Sequence, residues 1–577
     1  MKRLVAIMLV LCMVFCFAAC GEKKQAEEKT GGDAEKALTL VSSAFIDPVK
    51  DWAKYDELIA KIKSETDTAK RTQMMHDAED ILMSNYCVIP LYYYNDIYLQ
   101  KPYVSGVYSN AFATKFFMYA KMSNGADVLK INLASEPDYL DPALNSSVDG
   151  ACLAANSFSG LYTYNAEGKC VPACADSYTT NADGTVYTVK LKEGLKWSNG
   201  DKLDANDFVY SWQRAALLST ASDYGYMYSG FDGYSDTEDS LINVKAVDAN
   251  TLEFTLTAPC AYMEDLMAFP TFYPVHQASV EKANPDGTDP GKWCQEANFV
   301  CNGPFVCTGW DHDVSMTYEK NPNWYDAANV SLKGLQFMLS ADDTAIYAAY
   351  NAGDIDFADS VPTDEVANLL KNPEFYIVDE LGTYYAAFNC QSKLFADKTP
   401  AQAACMREAF SLLIDRDYIC ENVGQTGQVA ADAYIPLGMA DGNGGVFKTA
   451  STKGYYDAYA INNDKDATIA KAIELLEVAG YKFKDGKLDA STPITVEYLT
   501  NESSGHIAVA ESIQQDFKQI GIELSIAVQD WNVFLEERKN GNFDFAREGW
   551  IADFNDPINM LEMWITNSGN NDCQYGR

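Results

Sequence analysis

Apolar residues recur along this chain in two rhythms, one of period two and one of period three to four. "VLKINLAS" from Val128 reads as a buried strand, and "VYTVKLKEGLKWSNG" from Val186 as a strand closing on a Ser-Asn-Gly turn. "DANDFVYSWQRAA" predicts a helix with Asp204 as N-cap and Phe208 and Trp212 on one face, and "ANTLEFTLT" alternates as a strand. After Asp415 the pattern is more regular. The helix "ATIAKAIELLEVAG" stops at Gly480, the strand "PITVEYLT" follows, the helix "HIAVAESIQQDFKQIG" stops at Gly521, and the strand "IELSIAVQD" comes next. Strand, helix and strand in that order predict α/β layers with mixed sheets.

The front of the chain carries its own set. "KYDELIAKIK" places Tyr55, Leu58, Ile59 and Ile62 on one helical face, and "TDTAKRTQMMHDAEDILMSN" is a second amphipathic helix. "CVIPLYYYNDIYLQKPYV", from Cys87, reads as a buried strand, a turn at Asn95-Asp96 and a second strand ended by Pro102.

Composition changes the picture at the start. Met1-Lys2-Arg3 followed by "LVAIMLVLCMVFCFAAC" has the charged n-region and short apolar run of an export signal, so residues 1–19 are expected to be removed. Ala18-Ala19-Cys20-Gly21 resembles a lipobox, with Cys20 as the lipidated residue. Lys23 to Lys36 holds no large apolar residue, and 20–39 is expected to be a flexible tether. No other segment approaches the roughly 20 apolar residues of a membrane span, so contact with the membrane is expected through the lipid alone.

The remainder, about 550 residues, suggests three or so domains. A composition 47% hydrophobic and 12% aromatic excludes a disordered stalk, and a net charge of −38 argues against nucleic acid or anionic lipid as partner. Of fifteen cysteines twelve lie beyond Cys20, which permits local disulfides or free thiols. Cys170-x3-Cys174 and Cys294/Cys301/Cys307 lack nearby histidines and regular CxxC pairs, so no metal and no cofactor are expected. Four scattered histidines, with no HExxH, Gly-x-Ser-x-Gly or phosphate-cradling loop, argue against an enzyme.

"VYTVKLKEGLKWSNGDKLDANDFVYSWQR", "YEKNPNWYD", "YNAGDIDF", "REAFSLLIDRDYI" and "FDFAREGWIADFNDP" follow one another in an order that resembles the extracellular solute-binding protein family 5, whose members serve peptide ABC importers. The likeness runs from about Val128 to Arg577 and is strongest to the oligopeptide-binding branch. In that family two helices and a strand unit like 44–120 come last. Here they come first and once only, so the chain reads as circularly permuted, or as a rearranged reading frame with the same fold.

The resemblance implies a two-lobed α/β fold of the periplasmic-binding-protein type (type II, cluster C) with an additional domain. Carried onto this order, lobe I is expected from 125–148, 273–382 and 89–122, the extra domain from 149–272, and lobe II from 383–577 with 40–88. It implies a monomeric, lipid-anchored receptor on the outer face of the cytoplasmic membrane. Such a receptor binds oligopeptides between its lobes and hands them to a permease with ATPase subunits.

The resemblance also assigns residues. Asp553 is expected to pair with a peptide's α-ammonium, which is mostly charged at neutral pH and needs a countercharge once water is excluded. Arg547 offers a two-pronged donor to a carboxylate. Gly549 and Trp550 lie between them, and Trp550 and Trp531 are expected to wall side-chain pockets. Glu136 matches a cleft-lining position of lobe I, although Pro137 and Asp138 follow it. His506 and Arg538 match polar residues that meet the C-termini of longer peptides, and either Tyr224 or Tyr226 reaches in from the extra domain. Relatives can carry a cysteine where this chain has Ile551, which excludes a disulfide there. A receptor of this fold for a signalling peptide, a metal chelate or a saccharide is the alternative; the Arg547/Asp553 pair favours a peptide over a neutral sugar.

Overall fold

The computed structural model describes residues 33–133, 135–442, 444–449 and 464–577. The expected export signal and Cys20 lie outside the described residues. No helix among the described residues is long and apolar enough to cross a membrane.

The expected tether gives way to structure before residue 39. Residues 33–40 are helical (α1), with Ala37 fully buried and Lys36 within 3.6 Å of Glu474. Ala37 and the partly buried Leu40 pack against the same core, so the helix docks through its C-terminal half.

The two predicted helices of the front segment are α2, Ala53–Ser64, and α3, Thr68–Ser84, the latter N-capped by Asp67. Tyr55, Ile59 and Ile62 are buried as the helical spacing predicts, whereas Leu58 is only partly so. The expected turn at Asn95-Asp96 is absent. Val88–Gln100 is one strand, β1, that pairs with Phe375–Phe388 along nearly its whole length. Two register shifts, between Pro90 and Tyr92 and between Tyr93 and Asn95, absorb the irregularity. Asn95 does not turn the chain because its amide is engaged sideways, donating to the Thr426 carbonyl at 2.8 Å and accepting from Thr426 Oγ1 at 3.0 Å.

The remaining strands of the main sheet are β2 Val128–Asn132, β3 Phe305–Asp311, β4 Ser315–Lys320, β5 Gly334–Met338, β6 Phe357–Ala358, β7 Phe375–Phe388, β8 Val429–Ala430, β9 Thr495–Asn501, β10 Glu523–Gln529 and β11 Phe545–Ile551. Their order is β3-β4-β5-β2-β6-β1-β7-β11-β9-β10, with β8 paired to β1. Two blocks of parallel pairs (β5/β2 with β2/β6, and β11/β9 with β9/β10) flank a central antiparallel run β6-β1-β7-β11, giving the mixed sheet the pattern predicts. β1 and β7 are the long members, about 45 Å at the usual rise, and connect the two ends of the sheet.

That continuity moves the expected boundary at 88/89. Ile89 and Leu91 pack with Tyr384 and Phe388 in the core of the β9–β11 end, whereas Leu99 packs with Ile346 and Tyr350 at the other end. The division falls within β1, because a strand spanning both lobes contributes side chains to each.

The 149–272 region forms a separate four-stranded antiparallel sheet, ordered Val244–Asp248, Thr251–Thr255, Val186–Leu191, Ala175–Thr180. Two further helices serve this region: α4, Val148–Ser157, and α5, Ala205–Ala216. Asp204 caps α5 in a capping box with Asp207, and Phe208 and Trp212 are fully buried on its inner face. The hydrophobic core of this region is continuous with α2, α3 and the 550–575 segment. Placing 40–88 wholly with lobe II is therefore too simple. The remaining helices used below are α6 Asp343–Ala352, α7 Pro400–Leu413, α8 Lys465–Val478, α9 Ser504–Lys518, α10 Trp531–Lys539 and α11 Ile558–Glu562. Gly480 and Gly521, at φ +96° and +87°, end α8 and α9 as their positions predict.

The twelve cysteines of the described residues are all free, so the local disulfides expected as one alternative do not form among them. Gly382 stands opposite Ile551, and a Cβ at Gly382 would lie 2.8 Å from the Trp550 carbonyl. The two strands approach closely there without a covalent link.

Candidate functional site

β7 and β11 pair antiparallel, Tyr384 opposite Gly549 and Thr383 opposite Trp550. Period-two alternation leaves Arg547, Gly549 and Ile551 half-buried and buries Ala546, Glu548 and Trp550. A cavity of about 510 Å³ opens over this pair, within the range of small-molecule and peptide pockets. Both ends of the main sheet and the extra domain contribute to its walls.

Asp553 lies just beyond the end of β11, where the chain leaves the sheet. Asn559 donates to its Oδ2 at 2.8 Å, Tyr224 Oη donates to its Oδ1 at 3.1 Å, and the Asn559 side chain also accepts from the Asp553 amide at 3.0 Å. Burial pushes the Asp553 carboxyl up to about 7, against the pull of those two donors. It has no ion-pair partner among the described residues, so its charge is oriented and left without a countercharge. Tyr224 is thus the tyrosine that reaches in; Tyr226 is buried outside the cavity lining.

Arg547 sits in an aromatic enclosure. Its guanidinium carbon lies 5.5 Å from the Tyr384 ring centre, 5.7 Å from Trp531 and 5.8 Å from Phe534. Faces of aromatic rings stabilise a cation at this range. Its Nε is buried without a hydrogen-bond partner, and no ion pair with it is found among the described residues. The two charges expected to meet a zwitterion are therefore not spent on each other.

The other expected residues divide. Trp550 lines the cavity but is anchored, its Nε1 donating to Asn559 Oδ1 at 3.0 Å. Gly549 has a steric reason: a Cβ there would fall 2.0 Å from Tyr94 Oη, so the Tyr94 phenol rests on bare backbone. Trp531, the first residue of α10, and His506, in the first turn of α9, both line the cavity. His506 shares a 3.2 Å hydrogen bond with Tyr384 Oη, and burial together with the Arg547 charge lowers its pKa well below the usual value, so it is neutral.

Two residues depart from expectation. Arg538 lines the cavity but hydrogen-bonds Glu548, with Asp572 3.6 Å from its Nε, so its charge is already balanced. Strand alternation puts Glu548 beneath α10, where Arg538 is the nearest countercharge. Glu136 lies outside the cavity lining. Its carboxylate is held by the β3–β4 hairpin, through His312 Nδ1 at 2.6 Å, Trp310 Nε1 at 3.3 Å and the Asp313 amide at 3.0 Å.

Sequence reading missed Asn559 and Tyr94, which hold Asp553 and cover Gly549. Asn559 is only six residues past Asp553, a spacing at which a turn returns a side chain. Tyr94 had no signal beyond the aromatic run that contains it.

Comparison with known proteins agrees with this architecture. The chain matches the family model described as bacterial extracellular solute-binding proteins, family 5 Middle, over residues 169–572. It is similar to the oligopeptide-binding protein OppA of Bacillus subtilis, 32% identical over 470 residues that cover 79% of this chain and 81% of the relative. It is also similar to the periplasmic oligopeptide-binding protein OppA of Salmonella typhimurium, 31% identical over 456 residues, 77% of this chain and 78% of the relative. Among solved structures, Haemophilus influenzae OppA in complex with RPPGFSPFR aligns with a TM-score of 0.69 at 27% identity, covering 78% of this chain and 85% of that one. Listeria monocytogenes OppA bound to peptide aligns at 0.67 and 28%, covering 78% and 86%. Motif order, a two-lobed mixed sheet and these alignments lead to one conclusion: the chain belongs to family 5 of the bacterial extracellular solute-binding proteins.

Proposed function

We propose that this protein is the substrate-binding lipoprotein of an ABC importer, taking oligopeptides into the interlobe cavity and delivering them to a membrane permease with its ATPase subunits. The observation that carries the reading is the uncompensated pair of charges on one strand and its extension. Asp553 is oriented by Asn559 and Tyr224 without a cation, and Arg547 lies in aromatic rings without a carboxylate. A peptide's ammonium and carboxylate have the matching charges. An extended peptide satisfies its amides against main chain and leaves its side chains to pockets, so recognition tolerates many sequences. Relatives of this chain are oligopeptide-binding proteins of bacteria, which supports the same reading. Acylation at Cys20 would anchor the chain at the outer face of the cytoplasmic membrane.

Calorimetric titration with a hydrophobic tetrapeptide and its N-acetylated twin tests this. The free-amine peptide is expected to bind, and acetylation or Asp553→Asn to weaken binding at least a hundredfold. Equal binding of the two peptides would remove Asp553 as the amine site. If neither binds to a protein that melts cooperatively, the ligand is not a peptide of this kind.

A further inference from the structure

One wall of the cavity carries a charge pattern that the amine and carboxylate positions do not use. Lys115 is 3% exposed, and its Nζ lies 3.0 Å from Asp96 Oδ2 and 2.9 Å from Asp359 Oδ1. Glu380, from β7, feels Asp96, Asp359 and Lys115, and Asp149, from the first turn of α4, feels Lys115. All five side chains line the cavity. Four carboxyl groups thus surround one ammonium, which is already divided between two of them.

Glu380 is the group left over. It is 8% exposed, and its Oε1 is buried without a hydrogen-bond partner. An unmet buried acceptor is destabilising, so its persistence on the wall of a binding cavity marks the place of a donor from outside the chain. Arg547 lies close enough to influence Asp149, and both it and Glu380 act on Tyr94. No group of His, Cys, Asp and Glu among the described residues could hold a metal ion, which directs the choice to an organic cation.

Resting on the peptide reading above, we infer that this wall is a side-chain subsite for a lysine or arginine of the bound peptide, with Glu380 as its main acceptor and Asp149 as its second. A long basic side chain brings an apolar stem and a charged head, and in a closing cavity the head requires a carboxylate to replace its water. Burial and neighbouring charge push Asp149 and Asp359 up to about 7 and raise Glu380 well above its usual value. An entering cation favours their ionised forms, so its binding releases protons to the buffer and tightens as pH rises through neutrality.

The test uses the purified protein and tetra-alanine peptides in which each position in turn carries lysine or norleucine, which has a side chain of similar length and no charge. At one position lysine is expected to bind at least tenfold tighter than norleucine. Heats measured in phosphate and in Tris should differ for that lysine peptide and agree for its norleucine twin. Glu380→Gln, which keeps the shape and removes the charge, should cut the lysine-to-norleucine ratio below threefold. Should that variant fail to melt cooperatively, Asp149→Asn provides the same comparison. If alanine peptides bind but lysine and norleucine are equal at every position, the subsite is refuted and the peptide reading survives. A ratio unchanged in both variants also refutes it. If no peptide binds the wild-type chain, the peptide reading fails and the subsite fails with it.

Discussion

Asp553 and Arg547 illustrate how a single strand sets up two opposite recognition problems. The carboxylate is held by a neutral amide and a phenol, so it is aimed without being neutralised. The guanidinium is surrounded by aromatic rings, and no carboxylate ion-pairs with it among the described residues. Replacing Arg547 by Met should retain the fold and weaken short peptides, whose carboxylate it is proposed to meet, by about tenfold or more, as expected for loss of a charge-assisted contact of about 1.5–3 kcal/mol. Titration of tri- and pentapeptides checks this, with the longer peptides expected to lose less. Gly549→Ala should weaken all peptides, because the new methyl group displaces the Tyr94 phenol. A second change, Tyr94→Phe, should recover part of that loss, because it removes the oxygen that the methyl group meets first.

Secondary-structure elements distant from the cavity hold these side chains in place. The loop after Asp553 is tied to α3 by a two-pronged ion pair, Arg71 Nη1 and Nη2 to the Asp556 carboxylate at 2.8 and 2.9 Å, with both side chains mostly buried. The segment that follows is tied to α2, where Trp52 Nε1 donates to the Trp564 carbonyl at 2.8 Å and Tyr55 Oη to the Leu561 carbonyl at 2.9 Å. Breaking a buried pair by removing one partner costs about 3–5 kcal/mol, because the other charge stays buried. Arg71→Ala should therefore lower stability to urea by about that amount and loosen the amine site. Weaker binding of a free-amine peptide, with the N-acetylated twin unaffected, would locate the damage at Asp553.

On the scale of the whole molecule, the carboxyl groups proposed to meet ligand also bear on stability. Asp149, Asp359 and Asp553 are each pushed up to about 7 by burial, against an ordinary value near 4. A carboxyl whose folded-state pKa is raised contributes stability that is complete below about pH 4 and is lost as pH rises through 7. Carboxyls lowered by hydrogen bonds, such as Asp239 and Asp248, act in the opposite sense but are exposed and screened. The ligand-free protein should melt higher at pH 5 than at pH 8, by about 5 °C. Asp553→Asn or a bound free-amine peptide should flatten that dependence, and scanning calorimetry across the range measures both. A second prediction concerns the order of segments. Strand β1 stands between β6 and β7 in the middle of the main sheet, so deleting 40–122 removes a central strand and the buried faces of α2 and α3. The 125–577 fragment should show no cooperative transition. A soluble, peptide-binding fragment would contradict the role assigned to the front segment.

Much of this protein was legible from the sequence alone, because periodicity and caps are local. Asp204 capping a helix with Phe208 and Trp212 inward, Gly480 and Gly521 ending α8 and α9, and the mixed strand pattern all depend on neighbours within a few residues. The motif around Arg547 and Asp553 was visible for the same reason. Tertiary structure alone decided the rest. Asn95-Asp96 reads as a turn until a partner strand and Thr426 occupy its hydrogen bonds. Residues 33–39 read as the end of a tether until a core accepts Ala37. Arg538 reads as a free cleft cation until alternation in β11 supplies Glu548, and Glu136 as a cleft acid until a hairpin from 174 residues away takes its oxygens. Lys115 and Glu380 carry no local signal, since the carboxyl groups around them come from four separate parts of the chain. Local order follows from residues close in sequence. A charge's role depends on which distant partners share its low-dielectric surroundings, and folding alone brings those together.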